Sequence, residues 1–193
     1  MAEITHVRIA VPEQATLNRV LRQGGAQLFP QWLYAEPGEE PRILWWGVRG
    51  GQLQMMEVPD DPARAGLFPR PNDDWTETPR GVILATLDAD RAAADLSPAL
   101  GDEWLDAGVD EVLGASCRRL VMGRGMLVLA EPTTEGYVAA CLARWGEGPV
   151  ALALDGDAQI GTPVLDNPIT DGPAAWVRIG PRTAPYLLFL PAR

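Results

Sequence analysis

Residues 127–155 read LVLAEPTTEGYVAACLARWGEGPVALALD, two apolar runs separated by a segment of helical character. The flanking runs, LVLAEP and PVALALD, have the length and apolar content of buried strands. Between them, Thr133 or Thr134 can cap a helix whose apolar side chains share one face, and GEG ends it. The stretch therefore predicts a strand, a helix and a second strand.

A similar order of predicted strands and helices occurs on both sides of this stretch. A strand at 4–11 and a helix at 13–23 precede three strand candidates, and a strand at 81–88 opens a second round. PVALALD opens a third round, in which GDAQIG is too short for a full helix. Recurrence of this kind indicates internal duplication. We predict an α+β chain of repeated βαβββ units, with a first unit at 1–60, a Pro/Asp-rich linker at 61–80, and paired second and third units at 81–193.

Composition excludes several classes of function. The 193 residues carry a net charge of −10, and all sixteen basic residues are arginine, so nucleic acid is not an expected partner. No lysine is present for a Schiff base or a P-loop. Neither an apolar run of about 20 residues nor a secretory signal is seen, so we expect a cytoplasmic protein with no membrane partner.

Catalytic motifs of the common kinds are also missing. The two cysteines, Cys117 and Cys141, form no C-x-x-C pair, which excludes a zinc cluster and favours small buried side chains. The two serines, Ser97 and Ser116, do not lie in a G-x-S-x-G sequence.

Three segments resemble a known superfamily. THVRIAVPE at 5–13 is similar to the opening D-H-V-x-I-A-V-x-D strand of the vicinal oxygen chelate group, which contains glyoxalases, bleomycin-resistance proteins and extradiol dioxygenases. Residues 127–155 resemble the junction between modules in methylmalonyl-CoA epimerase-like members, and 171–191 resemble the last two strands. The resemblance implies curved mixed sheets that form glyoxalase-like cups.

The resemblance also implies where a divalent metal would bind. Its ligands come from the first and last strands of each unit, and the bound metal stabilises an enolate-like intermediate. In the first unit His6 and Gln54 match these positions. The equivalent residues of the other units cannot bind a metal; they are Val82, Val128, Pro149 or Val150, and Leu187. Two ligands fall short of the usual three or more, so we expect no cofactor unless a homodimer brings two sets together.

Strand alternation predicts the lining of the cup. If His6 faces inward, Arg8 does as well, and Gln54 brings Gln52 and Met56 with it. The predicted ligand-binding residues of this largely apolar cup are Gln52, Gln54, Met56, Trp45, Val82, Leu84, Thr86 and Val128. His6 and Arg8 are the predicted catalytic residues, because they are the titratable and cationic groups of this set.

Two side-chain types leave alternatives open. Arg8 needs an anionic partner when buried, either a protein carboxylate or an anionic or carbonyl-bearing ligand. The seven tryptophans either line the cup, where Trp45 would stack on a planar ligand, or fill the core or an interface.

Three functions follow from these patterns. The first is a glyoxalase-fold protein that binds a small organic ligand without metal, by sequestration or as a metal-independent isomerase or cyclase. The second is a metal-dependent isomerase, lyase or dioxygenase that uses His6 and Gln54 across a dimer. The third is a regulatory or scaffold protein whose cup is filled by its own tryptophans.

Overall fold

The N-terminal part of the chain forms a small sheet. The computed structural model describes residues 3–25, 33–49, 79–133, 135–157 and 159–191. The first elements are β1 (Glu3–Val11), α1 (Gln14–Gln23), β2 (Leu33–Pro37) and β3 (Arg42–Arg49). Strand β1 lies in the middle, parallel to β2 and antiparallel to β3.

The rest of the described chain forms one eight-stranded sheet of order β5-β6-β7-β4-β8-β11-β10-β9. Its elements are β4 (Gly81–Ala85), α2 (Ala89–Leu100), β5 (Leu105–Asp110), β6 (Ala115–Met122), β7 (Gly125–Pro132), α3 (Tyr137–Trp145), β8 (Gly148–Asp155), β9 (Thr162–Asn167), β10 (Gly172–Arg178) and β11 (Tyr186–Leu190). Each half of the sheet contains the four strands of one unit. The first strand of the unit, β4 or β8, is parallel to its fourth strand, β7 or β11, and the third and second strands follow toward the edge of the sheet. The halves join through their first strands, β4 and β8, which are antiparallel.

This arrangement confirms the predicted fold class, an α+β chain with repeated units in a curved mixed sheet. The second unit is a complete βαβββ unit, whereas the described residues between β8 and β9 contain no helix. The first unit predicted at 1–60 stays a prediction, since its fourth strand candidate at 52–58 lies outside the described residues; its described strands differ in pairing from those of the second unit. In the first unit β1 is paired on both sides, by β2 and β3, whereas β4 pairs with its own fourth strand and with β8.

The eight-stranded sheet curls until its two edge strands meet. Asn167 at the end of β9 donates a hydrogen bond from Nδ2 to Oδ2 of Asp110 at the end of β5, at 3.0 Å. Trp176 of β10 donates from Nε1 to the same oxygen at 3.1 Å. These bonds join strands at opposite ends of the sheet, so the sheet forms a nearly closed barrel with an interior and an outer face.

The barrel interior is packed with the protein's own side chains. Its buried cluster draws on the strands of both halves and on α3, and includes Ile83, Cys117, Val128, Tyr137, Val138, Cys141, Ala151, Trp176 and Leu188. Most members have almost no accessible surface, and a cavity that admits water would have left them some. The interior is therefore hydrophobic core.

The outer face is covered by α2 and by the first unit. Leu17, Val20 and Leu21 of α1 belong to one buried cluster with Leu187 and Phe189 of β11. Beyond α1, the Gly24 carbonyl accepts a hydrogen bond from the Asp157 amide at 2.7 Å. Helix α1 thus covers the half of the barrel whose described residues contain no helix. Among the described helices, none combines the length and apolar character needed to cross a membrane.

Candidate functional site

Two of the predicted ligand-binding residues lie on opposite faces of the sheet. In the parallel pairing of β4 with β7, Val82 is opposite Leu127 and Ile83 is opposite Val128. Val82 belongs to the outer cluster and Val128 to the barrel interior. The prediction that Val82 and Val128 line one cup is therefore wrong. Leu84 follows Val82 onto the outer face, where it packs near α2.

Thr86 lies in the turn between β4 and α2. Its hydroxyl donates to Glu147 Oε1 at 2.7 Å, and the Leu87 amide donates to the same oxygen at 2.8 Å. These hydrogen bonds, together with Arg91, lower the pKa of Glu147. Thr86 therefore anchors the turn between β4 and α2 to the loop after α3. Its hydroxyl proton is used in the hydrogen bond to Glu147.

Arg8 pairs with a protein carboxylate. Its guanidinium contacts Glu36 of the neighbouring strand β2, with 11% of the Arg8 side chain exposed. Of the two predicted partners for Arg8, the protein carboxylate is the one observed.

The remaining predicted residues lie outside the described part of the chain. These are Gln52, Gln54 and Met56, together with the side chains of His6 and Trp45. The backbone of His6 lies on β1 opposite Gly47. Within the described ranges no group of three or more His, Cys, Asp and Glu side chains could hold a metal. The metal set of His6 and Gln54 stays a prediction.

The barrel interior holds titratable groups, but their environment suppresses their reactivity. Burial, and then the charge of Asp110, raise the pKa of Cys117 to about 12. Burial also raises the pKa of Cys141, and that of the Tyr137 hydroxyl, which donates to the Val150 carbonyl at 2.7 Å. Tyr186 packs edge-on against Tyr137 with ring centroids 4.7 Å apart. The two thiols and the Tyr137 hydroxyl are protonated at neutral pH and are part of the core.

A cavity of about 640 Å³ lies instead between the first unit and the loop that joins β10 to β11. Its volume is within the range of small-molecule sites. The first unit contributes Val11, Pro12, Glu13, Thr16, Leu17, Glu39, Glu40 and Pro41; the barrel contributes Arg144, Ile179, Gly180, Pro181, Arg182, Thr183 and Ala184. We call this cavity the inter-unit cleft.

The two walls of the inter-unit cleft carry opposite charges. Its acidic side chains, Glu13, Glu39 and Glu40, all belong to the first unit, and its basic side chains, Arg144 and Arg182, belong to the barrel. At one point the walls are bridged, because Arg144 donates from Nε to Glu40 Oε2 at 3.1 Å and makes a second bond through Nη2.

A stacked group lies beside this bridge. The guanidinium of Arg42, on β3, lies 4.7 Å from the ring centroid of Trp145, and that of Arg144 lies 4.8 Å from it. Since Arg144 and Trp145 both belong to α3, it is the Arg42 contact that joins the first unit to this helix.

Arg182 adopts an unusual backbone conformation in the cleft wall. Its φ is +52°, in the left-handed region that favours glycine. Its carbonyl accepts a hydrogen bond from Arg178 Nη1 at 3.0 Å, which supports this turn. The loop therefore places a bulky cation where glycine would cost less.

Sequence reasoning missed the inter-unit cleft. The only local signal was two loops rich in proline and glycine, PGEEPR at 37–42 and GPRTAP at 180–185. Nothing in either loop indicates that the two lie side by side, since that depends on how the first unit packs on the barrel.

Comparisons with known proteins found likenesses among solved structures alone. No family model matches, and no curated protein matches. A hypothetical protein of Bacillus halodurans is 17% identical, with a TM-score of 0.45, and the match covers 60% of this chain and 94% of that one. Methylmalonyl-CoA epimerase of Mycobacterium tuberculosis is 16% identical, with a TM-score of 0.48, and the match covers 60% and 88%.

A third solved structure is a Streptomyces coelicolor methylmalonyl-CoA epimerase variant in complex with 2-nitronate-propionyl-CoA. It is 19% identical, with a TM-score of 0.45, and the match covers 59% of this chain and 97% of that one. Two of these three structures are thus methylmalonyl-CoA epimerases.

Proposed function

We propose that this protein binds a small organic molecule in the inter-unit cleft, without a metal, and that the barrel interior is structural. The observation that carries the proposal is the contrast between the two places. The interior is filled by its own side chains, whereas the cleft is a volume of about 640 Å³ with mixed polar and apolar walls.

The chemistry of the cleft favours binding over catalysis. Its described lining has no serine, cysteine or histidine that could act as a nucleophile or a near-neutral acid or base. Threonine hydroxyls, arginines and exposed carboxylates are groups that orient a ligand. Of the roles considered for a metal-free protein, sequestration therefore fits these residues better than isomerase or cyclase chemistry.

The proposal is tested by filling the cleft. Thr16, on the first turn of α1, lines the cavity, so a Thr16→Trp substitution would place an indole in it. Gln23→Trp adds the same group at the exposed end of the same helix, outside the lining, and is the matched control. A small-molecule library is screened by thermal shift against the wild type and both variants.

We expect compounds that raise the Tm of the wild type and of Gln23→Trp but not that of Thr16→Trp. Compounds that stabilise all three proteins equally would bind elsewhere and would contradict the proposal. A library without any stabilising compound would also count against it.

A further inference from the structure

We infer that the ligand of the inter-unit cleft is a zwitterion, with its ammonium group toward the first unit and its carboxylate toward the β10–β11 loop; this inference rests on the proposed function. The cleft is divided by charge, with acidic side chains on the first-unit wall and basic ones on the barrel wall. A ligand that carries both an ammonium and a carboxylate group complements both walls at once.

The ion pair that bridges the cleft leaves other charges available. Glu40 and Arg144 neutralise each other. The described chain has no salt bridge from Glu13, Glu39 or Arg182, and all three residues are exposed. An ammonium group can therefore meet Glu13 or Glu39 while a carboxylate meets Arg182 on the opposite wall.

The backbone of Arg182 is a second, independent observation. A non-glycine residue at a φ of +52° carries a conformational cost, and such costs gather where a side chain is needed for binding. The loop also lies against the first unit, since a Cβ added at Gly180 would lie 3.1 Å from Pro41 Cγ. The loop is thus tightly seated while it presents Arg182.

The apolar part of the lining indicates the chemistry of the uncharged part of the ligand. Pro12 and Pro41 on the first-unit side and Pro181 on the loop give the cleft accessible apolar surface, over a buried layer of Val11, Leu17, Ile179 and Ala184. A zwitterion with an apolar body, such as an amino acid with a large side chain, complements the acidic wall, the basic wall and the apolar surface of the cleft.

The test uses three probes that share one body and differ in charge. L-phenylalanine is the zwitterion, phenethylamine carries the ammonium alone, and 3-phenylpropionate carries the carboxylate alone. Isothermal titration calorimetry with the full chain at low ionic strength is expected to show phenylalanine binding about fivefold more tightly than either analogue. Raising the salt concentration should reduce that preference, since the charges are exposed.

Variants that each remove one charge show which wall of the cleft binds the ammonium group and which binds the carboxylate. Arg182→Gln should weaken phenylalanine and 3-phenylpropionate by about fivefold and leave phenethylamine unchanged. Glu39→Gln should weaken phenylalanine and phenethylamine and leave 3-phenylpropionate unchanged. Arg124→Gln and Glu111→Gln, which change exposed charges outside the cleft, are the controls.

Arg182→Gly separates a binding role from a structural one. Glycine relieves the left-handed backbone, so the Tm should hold or rise while phenylalanine binding falls. A lower Tm, or unchanged binding, would show that Arg182 serves the fold and would overturn the inference.

The probes also separate this inference from the proposed function. An analogue with one charge that binds as tightly as phenylalanine, and is blocked by Thr16→Trp, would overturn the zwitterion and leave cleft binding intact. Failure of all three probes would overturn the inference as well, and the library screen then decides the proposed function by itself.

Discussion

Asp110 of β5 and Asn167 of β9 close the barrel through a hydrogen bond of 3.0 Å between Asn167 Nδ2 and Asp110 Oδ2. Asp110 is 2% exposed and Asn167 is fully buried. Besides Asn167, the carboxylate accepts from Trp176 Nε1 at 3.1 Å and from the Leu113 amide at 2.9 Å. One buried carboxylate thus satisfies three donors at the point where the two edge strands meet.

Asp110→Ala should lower the free energy of unfolding by about 3 to 5 kcal/mol, because it leaves three buried donors without an acceptor. The measurement is urea denaturation followed by far-UV circular dichroism. Asp166→Ala removes an exposed carboxylate next to the seam and should change stability by less than about 0.5 kcal/mol. Equal effects of the two substitutions would show that the hydrogen bonds to Asp110, where β5 meets β9, contribute nothing to stability.

The contact between α1 and the barrel gives a second prediction. A Cβ added at Gly24 would overlap the ring of Phe189, so Gly24→Ala should cost about 1 to 3 kcal/mol through overpacking. The φ of Gly24, −77°, places no constraint of its own on a side chain. The change in unfolding free energy is measured by urea denaturation, and Phe189→Leu in the same chain should recover part of the loss.

Gly25→Ala is the matched control for this contact. Gly25 has a φ of +67°, and a Cβ added there would have no neighbouring atom within 4 Å, so the cost is backbone strain of about 1 kcal/mol. Phe189→Leu should not rescue it. Rescue of both variants, or of neither, would contradict a specific contact between Gly24 and Phe189.

Alkaline pH should destabilise the protein through its buried thiols. The pKa of Cys117 rises from 9.0 to about 12 on folding, so above pH 9 the unfolded chain releases a proton that the native state keeps. Stability from this group is complete below pH 9 and falls as the pH rises toward 12, by about 1.4 kcal/mol per pH unit.

Urea denaturation at several pH values between 8 and 11 measures this slope. Cys117→Ala should reduce it, because the titrating thiol is gone, while its small cavity lowers stability equally at every pH. An unchanged slope would show that Cys117 is not protected in the native state. Arg19→Ala, on the exposed face of α1, is a control that should leave the slope as it is.

The sequence predicted the strands better than the faces they present. RILWWGVR at 42–49 was predicted as a strand and is β3. The runs GVILA and PVALALD became β4 and β8, which are buried on both faces, and such runs lack the alternation that marks an inward side. Val82 and Val128 were therefore assigned to one cup, and a register difference of one residue places them apart.

Other features depend on packing between distant segments. The glycine pattern predicted that a helix ends near Gly146, but no local signal shows that Tyr137 and Cys141 enter the barrel interior. Gly136 precedes the helix without a side-chain cap, so the predicted threonine cap is wrong. The placement of Arg182 opposite Glu39 likewise comes from the seating of the first unit.

Metal content provides the last prediction, and it concerns His6. In the eight-stranded sheet two units join through their first strands, β4 and β8, whereas β1 has β2 and β3 on its two sides. A second copy therefore cannot pair with β1 as β8 pairs with β4. We expect no stoichiometric divalent metal in tag-free protein purified without chelator, and no change in the His6→Ala variant.

Elemental analysis of the two proteins is the measurement, with Gln52→Ala, which keeps both predicted ligands, as the control. A metal near one per chain or one per dimer that is lost in His6→Ala and kept in Gln52→Ala would contradict the metal-free proposal. It would make His6 a ligand and favour the metal-dependent isomerase, lyase or dioxygenase. Equal, substoichiometric metal in all three proteins would leave the inter-unit cleft as the place to search for the ligand.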